Sequence, residues 1–151
     1  MSASEGDAHA EPVTFARIDP AGEERFQTLR RELGVSSFGL NALVLAPGQR
    51  GRIHRHEHQE EVYLVLEGEL TLVVEGAEHV LGRYQLARVA PPVRRQLVNA
   101  GREPVVLLAL GGSGEHRGRD GRAWSSWEEG GEGRSPQEVP LPDDLPPGSR
   151  R

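Results

Sequence analysis

Between Ser37 and Gly112, short apolar runs alternate with glycine, proline and asparagine turn signals, and this spacing constrains the fold more than any other feature of the chain. The run SFGLNALVLA ends at Pro47-Gly48, and EVYLVLE ends at Gly68. Leu70 to Val74 and His79 to Leu81 flank Glu75-Gly76, a hairpin signal. Leu86 to Val89 precedes Pro91-Pro92, Arg95 to Val98 stops at Asn99-Ala100-Gly101, and Pro104 to Leu110 runs into Gly111-Gly112. A series of short strands punctuated in this way predicts an all-β sandwich or barrel. A parallel α/β sheet is excluded, because no connection is long enough for a crossover helix. One helix is expected, Gly22 to Leu33, where Phe26, Leu29 and Leu33 share a face and Gly34 supplies the stop.

Charge and hydrophobicity mark the limits of the domain. The 151 residues carry a net charge of −5, but residues 1–12 and 128–151 hold −3 each and the middle is +1. The last stretch has only Val139, Leu141 and Leu145 as hydrophobic residues, set among five prolines and four glycines. Such a segment buries too little to offset its ordering entropy. The expected organisation is therefore a disordered tail over 1–12, a barrel domain over 13–127 and a disordered acidic tail over 128–151. A nearly neutral middle with few aromatics gives no basis for nucleic-acid binding. No apolar run approaches the ~18 residues of a membrane span, and the start lacks the basic and apolar regions of a signal peptide. A cytoplasmic protein is the expectation.

The chemistry available is narrow. The chain has no cysteine, and all 18 basic residues are arginine. Thiolate zinc sites, cysteine nucleophiles and lysine Schiff bases are thereby excluded. What remains is gathered in RIHRHEHQEE, where strand alternation puts His54, His56 and His58 on one face. Two imidazoles two residues apart on a strand can meet one metal ion, and Glu61 on the next strand can add an oxygen. The bland alternative is a polar edge strand with solvated side chains. His58 is either a fourth ligand, a partner of a ligand or the end of the strand.

Gly48, His54, His56, Glu61 and Gly68 stand at G-x5-H-x-H-x4-E-x6-G, which resembles the first motif of the cupin superfamily with every position filled. The resemblance implies a double-stranded β-helix, a small jelly-roll barrel, over roughly residues 36–110, with one short N-terminal helix beside it. It also implies one divalent transition metal (Fe, Mn, Ni, Co or Zn), held by His54, His56 and Glu61. The second cupin motif is largely lost. Anchored on Asn99, its histidine position falls on Arg95, so the fourth ligand is absent.

Three arrangements of Arg95 are compatible with the sequence. It turns away from the metal, it clamps an anionic substrate at the rim, or it pairs with Glu61 and replaces the metal. Tyr63 and Val65 share parity with Glu61 and are expected to line the pocket, which makes Tyr63 and Arg95 the candidate substrate-binding residues. Because one fold hosts many chemistries, the resemblance offers a dioxygenase or an isomerase acting on a small oxygenated or carboxylate compound, with no catalytic residue assigned. The alternative is a metal-free barrel that binds a small anion through Arg95. EVYLVLE is apolar on both faces, so its outer face needs a cover, either the helix or a second copy in a homodimer.

Overall fold

A computed structural model describes residues 11–112 and 120–146. It contains ten strands and one α-helix among those residues: β1 (Phe26–Gln27), α1 (Leu29–Leu33), β2 (Gly39–Leu45), β3 (Ile53–His56), β4 (Glu60–Glu67), β5 (Leu70–Val74), β6 (Ala77–Leu81), β7 (Leu86–Val89), β8 (Arg95–Val98), β9 (Val105–Gly112) and β10 (Gly121–Trp124). They form two antiparallel sheets of five strands, ordered β1-β2-β9-β4-β7 and β10-β3-β8-β5-β6. This is the all-β architecture that the turn spacing predicts, in the jelly-roll form that the motif resemblance implies. No described helix is long and apolar enough to cross a membrane.

Strand alternation builds the core. Leu43 and Leu45 of β2, Tyr63 and Val65 of β4, and Leu107 and Ala109 of β9 point inward from one sheet. Leu70 and Leu72 of β5, Leu81 of β6 and Leu97 of β8 meet them from the other. Glu75 and Gly76 both take positive φ, the mirror-image turn that suits a two-residue hairpin between β5 and β6. Gly68 has φ +78°, and a Cβ there would lie 2.3 Å from the carbonyl oxygen of Pro104. Its strand end can pass β9 only because it has no side chain. Asn99 is fully buried and ties the end of β2 to the turn that leads into β9. Its amide donates to the carbonyls of Leu45 and Glu103, and its oxygen accepts from Gly101 N.

Two expectations are corrected. The helix starts at Leu29 rather than Gly22, because Phe26 and Gln27 pair with Leu43 and Ala42 at the sheet edge. Gly34 does end it, in the left-handed conformation. Residues 128–146, read as disordered, lie along the barrel: Val139 is buried, and its carbonyl accepts from Arg52 Nε. Arg50 donates twice to the Asp143 carbonyl, and Leu145 N donates to Gly48 O. The anchors are arginines of the barrel reaching backbone carbonyls, which the segment's own composition does not reveal. Residues 1–10 and 147–151 of the expected tails lie outside the described residues. Trp124 and Trp127 staple this extension in place, with Arg94 5.4 Å from the centre of each ring.

Candidate metal centre

The site lies between the sheets. β3 brings His54 and His56 to one face, with ring centres 5.3 Å apart and nearly perpendicular planes. Glu61 comes from β4 in the opposite sheet, where its neighbours across the strands are Val89 and Gly111. Its carboxylate faces both imidazoles: Oε1 is 3.5 Å from His54 Nε2, and Oε2 is 3.3 Å from His56 Nε2. One ligand atom from each residue falls within 4.8 Å of the others. All three side chains keep partial exposure, between 15% and 22%, so the group is reachable from outside.

A family model described as "Cupin domain" matches residues 42–111, the stretch that carries this group. The barrel belongs to the cupin superfamily. A sugar phosphate isomerase from a cupin superfamily, from Silicibacter pomeroyi DSS-3, is 33% identical, with 56% of each chain covered and a TM-score of 0.53. A putative sugar phosphate isomerase from Acidithiobacillus ferrooxidans is 24% identical over 57% of this chain and 56% of its own, with a TM-score of 0.53. The chain thus spans little more than half the length of these two proteins. A cupin protein from Bacteroides fragilis is 20% identical over 72% of this chain and 91% of its own, with a TM-score of 0.61. No curated protein matches the sequence.

The cupin group is oriented by what stands behind it. His54 Nδ1 lies 3.1 Å from the carbonyl of Arg52, and His56 Nδ1 lies 2.8 Å from Asp120 Oδ1. A carbonyl and a carboxylate can only accept, so both Nδ1 atoms carry protons and both Nε2 atoms face the centre. His56 Nε2 is buried and, with Glu61 Oε2 3.3 Å away, makes no hydrogen bond of good geometry among the described residues. Ligand bonds of ~2.0–2.2 Å to a common ion put neighbouring ligand atoms at separations like those seen here. Two oriented imidazole nitrogens, one of them orphaned, and a carboxylate thus fit a borderline divalent metal.

Asp120 was not foreseen. It sits just before β10, beyond the barrel proper, and it also accepts from the backbone N–H groups of His58 and Gln59 and from Gln59 Nε2. No local pattern marks it, since its partner lies 64 positions away. His58 is not part of the group. β3 ends at His56 and the chain bends, so the two-residue period fails there, and the exposed His58 side chain lines an outer groove with Phe38 and Glu60. Phe38 is itself 40% exposed rather than core.

Tyr63 is buried as its parity requires, and its hydroxyl donates to Glu61 Oε1. Burial pushes that hydroxyl well above 10, with the Glu61 charge adding to the effect and Arg95 opposing it, so Tyr63 stays a donor. For Glu61, burial alone would raise the carboxyl. The neighbouring imidazoles, His54 first and then His56, overcome it and hold the group well below 4.5. Burial likewise works against a charged His56, yet Glu61 and Asp120 raise it above 6.5. In Asp120 the N–H groups of His58, His56 and Gln59 outweigh burial and lower the carboxyl below 3.8.

Arg95 is neither at the rim nor turned away. It is fully buried on β8, directly across from His54, with Nε 3.9 Å from Glu61 Oε1.

Proposed function

We propose that this cupin holds one divalent transition-metal ion through His54, His56 and Glu61, and that it acts as an isomerase on a small oxygenated or carboxylate compound. The observation that carries the metal is the pair of imidazoles whose Nδ1 protons are committed to Arg52 O and Asp120, leaving two Nε2 atoms turned toward one carboxylate. The isomerase reading is favoured over a dioxygenase by the name of the 33% identical cupin.

A bound ion supplies Lewis acidity and positions open to a ligand oxygen. The protein's residues do the rest. Asp120 and the Arg52 carbonyl fix the imidazoles, Tyr63 holds Glu61 in place, and Val89, across the strands from Glu61, brings the apolar core up to the centre. The loose Arg95–Glu61 contact supports one rival, a metal-free barrel in which the arginine takes the place of the ion. Elemental analysis separates the two. The protein should carry close to one transition-metal equivalent, and His54→Ala should lose it. Protein that stays empty after incubation with Fe(II), Mn(II), Ni(II) and Zn(II) refutes the metal reading.

A further inference from the structure

Arg95 is a permanently charged group with no solvent access, and its hydrogen bonding is incomplete. Nη1 donates to the Val93 carbonyl at 3.0 Å. Nε and Nη2, the two donors along one edge of the guanidinium, make no hydrogen bond of good geometry among the described residues; the Tyr63 hydroxyl lies close to the guanidinium but leaves both donors unsatisfied. Among the described residues, the one carboxylate within 4 Å is Glu61, whose nearer oxygen is 3.9 Å from Nε, beyond hydrogen-bond distance, and already accepts from Tyr63. That edge is the planar fork that binds a carboxylate through two parallel N–H groups. A buried guanidinium with an open fork is unfavourable until an anion fills it. Charge points the same way. A divalent ion and Arg95 outweigh Glu61, and the Asp120 carboxylate behind His56 offsets only part of the excess, so the centre keeps a net positive charge.

We propose that the Nε/Nη2 edge of Arg95 seats the carboxylate of a small ligand whose neighbouring oxygen binds at the metal, which makes the ligand a 2-hydroxy or 2-oxo acid. The second oxygen is required because Arg95, across the strands from His54, stands where the motif's fourth ligand is missing. The ligand is compact, because Arg95 and Tyr63 are 0% and 1% exposed, whereas the metal-binding side chains beside them keep between 15% and 22%. A planar carboxylate fits better than phosphate, whose further charged oxygens would crowd Glu61. The chelating half of this inference rests on the proposed metal site.

The test is calorimetric titration of the metal-loaded full chain with glycolate, pyruvate, acetate and inorganic phosphate. Glycolate and pyruvate should bind, and acetate, which lacks the second donor, should bind more weakly. Arg95→Gln and Arg95→Lys should each weaken glycolate roughly 10- to 100-fold, because neither restores the fork. Elemental analysis of every sample keeps the two readings apart: a parent without metal defeats the proposed function, whereas a metal-loaded parent that ignores glycolate and pyruvate defeats this inference. Unchanged affinity in Arg95→Gln, or tighter binding of phosphate than of glycolate, overturns it as well. Where a variant fails to fold, the Arg95 Nε–H resonance of the labelled parent gives the answer. It should shift on adding glycolate, and an unmoved resonance at saturation overturns the proposal.

Discussion

Replacing Asp120 by asparagine should damage metal binding more than its size suggests. The carboxylate is 7% exposed and serves four donors. Oδ2 accepts from the backbone N–H groups of His58 and Gln59, at 2.8 and 3.0 Å, and these cannot rotate away. An asparagine must therefore keep its oxygen there and turn its NH₂ toward His56 Nδ1, 2.8 Å away. Two donors cannot face one another, so His56 has to adopt the other tautomer, with a proton on Nε2 where the metal's ligand lone pair belongs. Loss of such an outer partner weakens metal binding roughly 10- to 100-fold, or about 1.4 to 2.7 kcal/mol. Asp120→Ala removes the partner without imposing a tautomer. It should be the less stable protein, since the backbone N–H groups of His58 and Gln59 lose their acceptor, yet it should bind metal more tightly than Asp120→Asn. Competition titration with Zn(II) or Co(II), together with chemical denaturation of each metal-free variant, measures both quantities. An Asp120→Asn protein within about threefold of the parent affinity, or weaker binding by Asp120→Ala than by Asp120→Asn, refutes the tautomer argument.

The metal-free protein should lose stability on both sides of an acidic optimum. Glu61 is held below its ordinary value, so its contribution is present above about pH 4.5 and is lost as pH falls through the lowered value; His56 is raised, so its contribution is complete below about pH 6.5 and fades as pH rises through the raised value. Melting temperatures in chelator should therefore fall as pH rises above about 6.5, while those of metal-loaded protein hold, because the ion replaces the His56 proton. A flat chelated profile over that range contradicts the coupling. Gly68→Ala, with its positive φ and a Cβ 2.3 Å from Pro104 O, should cost at least about 2 kcal/mol in urea denaturation with an unchanged slope. A cost under about 0.5 kcal/mol would show that the β4 end can shift.

Residues that act through the period of a strand were legible in the sequence. Tyr63 and Val65 point inward with Glu61 because the same alternation runs unbroken through β4. It failed at His58, where the strand had already ended and a bend carries the side chain outward. The helix was overextended for a related reason. Phe26 fits a helical stripe, but the free edge of β2 captures it, and a tertiary partner outweighs weak local preference. The C-terminal extension looked too polar to fold, and its own side chains do contribute little. What orders it is Arg50 and Arg52 reaching its carbonyls, a contribution belonging to another part of the chain.

The same division explains the site. Two imidazoles and a carboxylate lie within eight positions and announce themselves, whereas the groups that decide how they work come from β8 and from the approach to β10. Asp120 sits in a run of arginines and glycines that reads as a charged loop, and only the fold reveals that His56 needs it. Arg95 was visible as the missing ligand, but its burial and open fork were not. Its identity matters physically. A lysine in that place could shed its proton when buried beside a metal, and the conflict would vanish. An arginine keeps its charge, so the conflict persists until Glu61 closes the 3.9 Å gap or an anion from outside takes the fork. The first outcome gives an inert barrel with its arginine in place of a metal. The second gives a metal centre selective for acids, and the glycolate titration of Arg95 separates the two.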